Sequence, residues 1–452
     1  MLVEKNKNYT IIIKDIGTNG EGIGAYEGFT IFVPNSVTGD EVEVRIIKVN
    51  KKFAVGKIIK IKNFSDIRIP QKCNFATQCG GCQFQHVKYE YQLEWKQNKV
   101  KNALYRIGGV QADINPIIGM TDPFYYRNKA QYPIQKINDE IQIGFYANKS
   151  HNIINIDKCI IQNEINEDII AIVREFIIKY DISIYSEKNH SGLIRHLVIR
   201  SGYYNKNIMV CLVINGDNLP HQDKFIEMLR KVTQITSIIL NFNKNKTNVI
   251  LSDNFNTIFG ADTIQDNIGE LTFNLSPISF FQVNPIQTKI LYDIVEEYAD
   301  LKGNETIVDL YCGIGTITLT LAKKAGKVYG IEVVDQAIKD AQQNALQNNI
   351  DNVEFITGKA EEINFEAHPD IVVLDPPRKG CELSLIKTLL TMLPPKIIYI
   401  SCDPATLARD ISYLKENYSI EKVQPVDMFP HTNHVETVCL LSRKDPQNCF
   451  SS

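Results

Sequence analysis

One cysteine occupies a position that suits covalent chemistry. In the stretch "YISCDPATLARD", Cys402 lies between an apolar run and the start of a predicted helix. Asp403 suits the N-cap of that helix and Pro404 its first turn. A thiol at this place would feel the positive end of the helix dipole, which favours the thiolate. The sequence therefore predicts a nucleophilic cysteine just ahead of a helix.

A glycine loop upstream has the features of a nucleoside-binding site. In "ETIVDLYCGIGTITLTLAKKAGKVYGIEV", Asp309 precedes Gly313 and Gly315, and Glu332 ends the next predicted strand, where it could accept hydrogen bonds from a ribose diol. A dinucleotide fold would want a third glycine where this chain has Thr318. The pattern favours S-adenosylmethionine over NAD.

A third reactive group follows another predicted strand. Asp375 comes directly after the strand-like run in "DIVVLDPPRKG", and two prolines then stiffen the loop. In open α/β sheets, ligands bind outside the carboxyl ends of the strands. We therefore expect Glu332, Asp375 and Cys402 to converge on one crevice.

A thiolate beside a methyl donor suits methylation of C5 of uracil. That carbon is too weak a nucleophile until a thiolate adds to C6, and a general base must later remove the C5 proton. In "FPHTNHVETVCLLSR", Glu436 is the leading candidate for this base, and His431 and His434 are weaker ones.

A separate group of cysteines predicts a metal site. "CNFATQCGGCQFQH" places Cys73, Cys79 and Cys82 at C-x5-C-x2-C spacing, and Cys159 is the nearest downstream candidate for a fourth ligand. Four thiolates suit either zinc or an iron–sulfur cluster, and the spacing alone leaves both open. The C-x3-C-x2-C spacing of radical S-adenosylmethionine enzymes is absent from this loop, which disfavours radical chemistry.

The whole chain has the composition of a globular protein. It contains 452 residues, of which 44% are hydrophobic and 22% charged, and no apolar run approaches the ~18 residues of a membrane span. We expect a cytoplasmic protein without a membrane partner, whose ten cysteines are ligands, nucleophiles or core residues rather than disulfides. Residues 1–130 carry 19 Lys/Arg against 12 Asp/Glu, a balance that suits either a nucleic-acid footprint or a solvated surface.

Hydrophobic patterning divides the chain into three predicted domains. Residues 1–62 read as five or so short strands in a small OB-like β-barrel. Residues 63–270 contain the cysteine loop and an α+β pattern. Residues 271–452 show the regular βα alternation of a Rossmann-like α/β domain.

Six stretches in a fixed order within residues 279–438 resemble a known family. They are "SFFQVN", "DLYCGIGT", "GIE", "LDPPRKG", "SCDPATLARD" and "HVETV", and as a set they closely resemble the RNA uracil-5-methyltransferases of the TrmA and RumA type. The barrel resembles a TRAM domain, and the cysteine arrangement resembles the four-iron–four-sulfur site of the RumA branch. The resemblance therefore favours iron–sulfur over zinc.

The resemblance implies a role for each matching residue. Cys402 would be the nucleophile, and Glu436 would remove the C5 proton. Asn284 and Pro285 suit the start of a helix that would fix Gln282 near the cofactor. The residues that would contact S-adenosylmethionine are Gln282, Tyr311, Glu332 and Asp375. Those that would hold a [4Fe–4S] cluster are Cys73, Cys79, Cys82 and Cys159.

The expected function is methylation of uridine at C5 in 23S ribosomal RNA by a monomeric enzyme. One alternative is a transfer-RNA uracil methyltransferase with the same chemistry. A second is an RNA cytosine-5 methyltransferase, although that family carries a Pro-Cys motif where this chain has "DPPR". A third is a non-catalytic RNA-binding iron–sulfur protein, against which the pairing of Cys402 with Glu436 argues.

Overall fold

The structure of the protein, a computed structural model, describes residues 2–148, 150–362 and 368–445. Five strands near the amino terminus close into a barrel in the order β1-β2-β3-β5-β4. They are β1 (Asn8–Ile16), β2 (Gly22–Tyr26), β3 (Phe29–Val33), β4 (Glu41–Val49) and β5 (Phe53–Asn63). Alternate β-branched residues such as Ile11, Ile13, Val42 and Val44 fill its interior. The predicted barrel is confirmed.

The cysteine loop leads into α1 (Tyr89–Ala103), which a π-helical turn (Leu104–Gly108) continues. Gly109 ends this segment in the left-handed region, at a φ of 62°. The apolar side chains of α1 and the turn, including Val100 and Leu104, join the core of the carboxyl-terminal sheet. We therefore propose that α1 belongs structurally with the third predicted domain, although the sequence pattern placed it in the second.

The middle of the chain forms a seven-stranded sheet in the order β12-β11-β10-β9-β6-β7-β8. Its strands are β6 (Lys129–Ile137), β7 (Glu140–Tyr146), β8 (Ile153–Asn155), β9 (Ile194–Ser201), β10 (Ile208–Ile214), β11 (Ile235–Phe242) and β12 (Phe255–Gly260). Two amphipathic helices, α2 (Ile165–Lys179) and α3 (Gln222–Leu229), cover one face. The predicted mixture of helices and strands is present.

A second seven-stranded sheet follows, in the order β17-β16-β15-β18-β19-β21-β20. A hairpin of β13 (Ile264–Ile268) and β14 (Leu271–Leu275) precedes β15 (Thr306–Leu310), β16 (Lys327–Glu332), β17 (Val353–Thr357), β18 (Ile371–Leu374), β19 (Lys396–Ser401), β20 (Tyr418–Val426) and β21 (Glu436–Arg443). The helices are α4 (Pro285–Ala299), α5 (Thr316–Ala322), α6 (Asp335–Gln347), α7 (Leu383–Met392) and α8 (Pro404–Leu414). Strands β15 to β19 pair in parallel, and β21 is antiparallel to β19.

The predicted boundary at residue 270 falls within the turn of the β13–β14 hairpin. Strand β14 is tied to α6, because the backbone N–H of Asn274 donates to Oδ1 of Asn344 at 2.9 Å. We propose that the third domain begins before β13. Met1 and residues 446–452, at the ends of the predicted first and third domains, lie outside the described residues. No helix in the described ranges is long and apolar enough to cross a membrane.

Candidate active site

Cys402 lies between β19 and α8, as the sequence predicts. Oδ1 of Asp403 accepts a hydrogen bond from the backbone N–H of Ala405 at 2.8 Å, and Pro404 begins the helix. The N-cap and the proline together end the strand and start the helix within three residues. The thiol is therefore held at the carboxyl edge of the sheet.

The electrostatic environment of Cys402 differs from the expectation that rests on the helix dipole. Burial, together with the nearby carboxylates of Glu436 and Asp375, raises the pKa of the Cys402 thiol to about 12, whereas Arg378 acts in the opposite direction. The dipole of one helix is a small effect beside desolvation and two carboxylates. In this state of the protein the thiol is protonated at neutral pH.

Glu436 is the first residue of β21 and only 4% exposed. Burial and the neighbouring Asp375 raise the pKa of its carboxyl group to about 8, and Arg378 lowers it in part. A carboxyl group with a pKa near the working pH can both accept and release a proton. Cys402, Asp375 and Glu436 therefore act on one another electrostatically at the ends of separate strands, and we propose that they share one crevice.

The two histidines in the same loop are less suited to the role of base. His431 is buried, with its Nδ1 3.3 Å from Nε2 of Gln92 and its ring stacked on Phe124. His434 lies beside Arg378, with 3.4 Å between its Nε2 and Nη2 of the arginine. Burial lowers the pKa of each imidazole to about 4. His431 is thus occupied in packing, and Glu436 remains the leading candidate.

The glycine loop between β15 and α5 opens toward the same edge of the sheet. Gly313 and Gly315 have φ angles of 55° and 82°, and a Cβ atom added to Gly313 would meet no atom of the described residues within 4 Å. Tyr311 also lies in the left-handed region, at a φ of 68°. Such a conformation is costly for a residue with a side chain and occurs most often at functional sites.

Glu332 ends β16 beside this loop. Its two carboxylate oxygens accept hydrogen bonds from the backbone N–H groups of Gly313, at 3.3 Å, and Val334, at 3.0 Å. The predicted position of Glu332 at a strand end is therefore confirmed. Its proposed contact with a ribose stays a prediction.

Thr318 explains why the loop lacks a third glycine. Its hydroxyl donates to Oδ2 of Asp309 at 2.6 Å, whereas Oδ1 of Asp309 has no hydrogen-bond partner among the described residues. Burial raises the pKa of the Asp309 carboxyl group to about 7. A buried polar oxygen without a partner is rare in proteins, and a bound water or polar ligand would satisfy it.

Gln282 precedes α4 and is buried. Asn284 caps this helix as predicted, because its Oδ1 accepts from the backbone N–H of Gln287 at 3.3 Å. Nδ2 of Asn128 donates to the carbonyl oxygen of Gln282 at 3.1 Å, which fixes the backbone at this point. The role of the Gln282 side chain in cofactor binding remains a prediction.

Two cations near the loops that carry Cys402 and Glu436 were not predicted from the sequence. Arg378 lies in the "DPPRKG" stretch and acts electrostatically on both Cys402 and Glu436. Lys99, on α1, donates to the carbonyl oxygen of Asn433 at 2.7 Å and interacts with Arg378. Arg378 could have been found because it lies within the quoted stretch "DPPRKG". Lys99 lies in no motif and is some three hundred residues from Cys402 in the sequence, so no pattern in the sequence indicates it.

The four cysteines predicted to bind a metal line one cavity of about 470 Å³. This cavity extends to Arg378 and His434 of the crevice described above. Across residues 2–148, 150–362 and 368–445, no three His, Cys, Asp or Glu side chains form a preformed metal site. Cys73, Cys82 and Cys159 nevertheless pack around the same apolar cluster.

These thiols interact with one another electrostatically. Burial raises the pKa of Cys82 to about 12 and that of Cys159 to about 11, and the neighbouring thiols add to each increase. The backbone N–H of Gly81 donates to Sγ of Cys79 at 3.4 Å. A buried group of this kind stays protonated unless a cation compensates its charge.

Comparison with known proteins places the chain among RNA-modifying enzymes. Residues 88–444 match the model of the tRNA (Uracil-5-)-methyltransferase family, and residues 2–59 match the TRAM domain. An RNA methyltransferase of Clostridium tetani is 50% identical over 447 residues, covering 97% of each chain. One from Clostridium acetobutylicum is 48% identical over 453 residues, covering 98% of each.

A solved structure has the same overall architecture. The tRNA (uracil-54, C5)-methyltransferase of Pyrococcus abyssi, in complex with S-adenosyl-L-homocysteine, is 31% identical to this chain with a TM-score of 0.79. The similarity covers 96% of this chain and 100% of the archaeal one. The barrel, the central sheet and the carboxyl-terminal sheet therefore all have counterparts in that enzyme.

Proposed function

This chain belongs to the RNA uracil-5-methyltransferase family, and from that premise we propose that it methylates C5 of a uridine in 23S ribosomal RNA. Cys402 is the proposed nucleophile and Glu436 the proposed base. The observation that supports the proposal is the electrostatic interaction of these two side chains with each other and with Asp375, at the ends of separate strands.

The covalent step is assigned to Cys402. Its thiol loses a proton to solvent, and the thiolate attacks C6 of uracil, forming a C6–S bond while the electrons of the C5–C6 double bond move to form an enolate. C5 of the enolate would then take the methyl group that bound S-adenosylmethionine supplies, as the methyl–sulfonium bond breaks and S-adenosylhomocysteine leaves, so that C5 carries the methyl group and its original proton. Because the pKa of the resting thiol is high, binding of the RNA must favour the thiolate, and Arg378 already acts in that direction.

The second step is assigned to Glu436. Its carboxylate removes the C5 proton, the C5–C6 double bond re-forms, the C6–S bond breaks and the thiolate leaves. A pKa of about 8 makes this carboxylate a stronger base than an exposed one. Asp375 and Arg378 adjust that pKa in opposite directions.

The residues around the glycine loop fit S-adenosylmethionine. The open space above Gly313, the unpaired oxygen of Asp309 and the carboxylate of Glu332 at the strand end form a polar cradle. We assign Gln282, Tyr311, Glu332 and Asp375 to its binding. When bound, S-adenosylmethionine supplies the methyl group.

We assign the four cysteines that line the first cavity to a [4Fe–4S] cluster. Cys73, Cys79, Cys82 and Cys159 share one cavity. The raised pKa values of Cys82 and Cys159 mean that these two thiols need a nearby cation to become thiolates. Bound there, the cluster would supply four metal–sulfur bonds that join Cys159 to the loop of residues 73–82. The chemistry of Cys402 and Glu436 needs no electron from it.

The proposed substrate is an RNA whose target base leaves its stack. Cys402 cannot reach C6 of a base inside a helix, so a flipped or single-stranded uridine is required. The barrel and the basic residues 1–130 would hold the phosphates. The choice of ribosomal RNA is supported by the four cysteines, through their resemblance to the RumA branch.

Transfer RNA is the second candidate substrate. The archaeal enzyme of the same architecture acts on uracil 54 of tRNA, and its similarity covers 96% of this chain. The chemistry assigned to Cys402 and Glu436 is the same for both substrates. The two candidates differ only in the RNA that the surface selects.

Parallel methylation assays separate these candidates. Unmodified 23S ribosomal RNA and unmodified transfer RNA are incubated with the protein and S-adenosylmethionine labelled on its methyl group, and the product is mapped by mass spectrometry. We expect the label at C5 of uridine in the ribosomal RNA. Label only in transfer RNA would retain the chemistry and change the substrate, and label in neither would contradict the proposal.

A further inference from the structure

A second cavity, of about 400 Å³, lies at one end of the central sheet. Residues from β6, β7, β9 and the segment before β9 line it, among them Gln135, Tyr146, Tyr185, Lys188, Arg195 and His196. A cavity of this size is comparable to the pockets that hold nucleotide-sized ligands. None of the chemistry assigned above uses these side chains.

Arg195 forms one wall of this cavity in an unusual setting. Strand β9 pairs with β10 through His196, which faces Val213, and Ile194, which faces Ile214. Arg195 lies between these two pairs, at a shift in the register. Its guanidinium lies 4.5 Å from the centre of the Tyr185 ring, and Nη1 donates to the carbonyl oxygens of Asn243 and Asn245. Nε has no hydrogen-bond partner among the described residues, although Arg195 is only 5% exposed.

The next residue, His196, also carries a ring nitrogen without a hydrogen-bond partner among the described residues. It is 8% exposed, and its Nδ1 finds no partner within the described chain. Burial, with Arg195 beside it, lowers the pKa of its imidazole to about 4. A neutral imidazole offers one donor and one acceptor, so it can pair with the edge of a base.

The cavity also has an aromatic wall, and its rim carries two lysines and one carboxylate, Glu187. Tyr146 is half-buried at the end of β7 and packs edge to face against His151, with ring centres 5.9 Å apart. Lys136 and Lys188 are exposed at the rim. Flat aromatic and guanidinium surfaces stack unpaired bases, and lysines at the mouth suit the attached phosphates.

Strand β6 runs from the four-cysteine cavity to this second cavity. Lys129 and Gln131 line the cavity that reaches Arg378 and His434, whereas Pro133 and Gln135 line the second cavity. Gln131 and Gln135 are four residues apart, or about 13 Å along an extended strand. The second cavity therefore lies about 13 Å from the four-cysteine cavity, which itself extends to Arg378 and His434, and a few nucleotides of an RNA strand would span that distance.

We propose that the second cavity binds another unstacked base of the RNA substrate, a few nucleotides from the target uridine, between Tyr146 and the stacked pair Arg195–Tyr185. This inference rests on the proposed function, because it takes RNA as the substrate. The base would stack on the aromatic and guanidinium planes and pair with His196. Lys136 and Lys188 would contact its phosphates.

The test measures RNA binding without methylation. The full-length protein, loaded with S-adenosylhomocysteine, is titrated with 23S ribosomal RNA transcribed in vitro, and the affinity is measured. In a parallel sample, the same RNA carrying 4-thiouridine is cross-linked to the protein by ultraviolet light, and the cross-linked peptides are identified. Tyr146→Ala should weaken binding about tenfold, as loss of one stacked base does. Tyr146→Phe should restore the affinity, which separates stacking from misfolding.

Tyr413→Ala, which removes a tyrosine that is 44% exposed on α8, is the matched control and should change the affinity less than about twofold.

Cross-linked peptides that contain Tyr146 or Tyr185 would support the proposal, even if the methylation assay failed. Unchanged affinity of Tyr146→Ala, with cross-links confined to the barrel and to α1, would overturn it while leaving the proposed reaction intact. Binding of adenosine monophosphate in this cavity without any effect on RNA affinity would also overturn it, in favour of a free nucleotide.

Discussion

Lys96 of α1 and Asp427 of the loop before β21 form an ion pair, with 2.5 Å between Nζ and Oδ1 and both side chains removed from solvent. Tyr89 donates to the other carboxylate oxygen at 2.8 Å, and Nζ of Lys96 also donates to the carbonyl oxygen of Phe429 at 2.9 Å. The chain runs from this anchor to Glu436 within nine residues. The helix that follows the cysteine loop therefore positions the proposed catalytic base.

Replacement of Lys96 by Met should destabilise the protein, because it leaves the Asp427 carboxylate buried without a cation. The expected loss is about 3–5 kcal/mol in the free energy of unfolding, measured by chemical denaturation. Lys101→Met, at an exposed position of the same helix, is the control. The double variant Lys96→Met/Asp427→Leu should recover much of the loss. Equal stability of Lys96→Met and Lys101→Met would contradict the assignment.

Replacement of Arg378 by Gln should move the activity profile to higher pH. Arg378 lowers the pKa of both Cys402 and Glu436, so its removal raises both and leaves fewer molecules with the two groups ionised at pH 7. We expect kcat/KM at pH 7 to fall by about tenfold, with partial recovery toward pH 9 as the two groups ionise again.

Lys379→Gln is the matched control for Arg378→Gln. Lys379 is the adjacent cation in the same loop, but it is exposed and pairs with Glu382 at 2.6 Å. Its loss should leave the pH profile of kcat/KM in place. A profile that moves equally in both variants would mean that overall surface charge, and not Arg378, controls the ionisation of Cys402.

Glu436 should make the protein less stable as the pH rises. The pKa of its carboxyl group is about 8 in the folded protein and lower when unfolded, so the folded state binds more protons between about pH 4.5 and 8. The free energy of unfolding therefore falls through this window. Glu436→Gln cannot ionise, and it should lose less stability between pH 5 and 9, by up to a few kcal/mol. Glu421→Gln, at an exposed position, should behave as the unmodified chain does.

Replacement of Cys82 by Ala should abolish binding of the proposed iron–sulfur cluster. The other three thiols would leave one iron without its protein ligand, so iron content and visible absorbance after anaerobic purification should both fall. Cys211→Ala, in the buried strand β10, is the control and should retain them. Stoichiometric zinc without visible absorbance in the unmodified protein would favour a structural zinc site instead.

The sequence predicted those parts of the structure that local pattern determines. Strand ends carry Glu332 and Asp375, Asn284 and Asp403 cap the expected helices, and β-branched alternation built the barrel. Each of these features is determined by residues close together in the sequence, so the local sequence pattern is sufficient to predict it.

The electrostatics of the site depend on contacts between distant residues, which the sequence does not reveal. The helix after Cys402 suggested a thiolate, yet the folded chain surrounds the thiol with Glu436 and Asp375, and its pKa is raised. Nothing in the sequence distinguishes Lys96 and Lys99 from the other basic residues of the stretch 1–130, yet Lys96 is fully buried and Lys99 donates to the loop that precedes Glu436. Burial of a charge is a property of the whole fold.

The central claim is that Cys402 attacks uridine and that Glu436 resolves the intermediate, and trapping the covalent complex tests it most directly. Glu436→Gln is incubated with S-adenosylmethionine and each unmodified RNA, and complexes that survive denaturing electrophoresis are digested and analysed by mass spectrometry. We predict a nucleotide carrying the added methyl group on the peptide that contains Cys402, and none when Cys402→Ala is introduced as well. A complex at another residue, or uridine methylation by Cys402→Ala alone, would contradict the account.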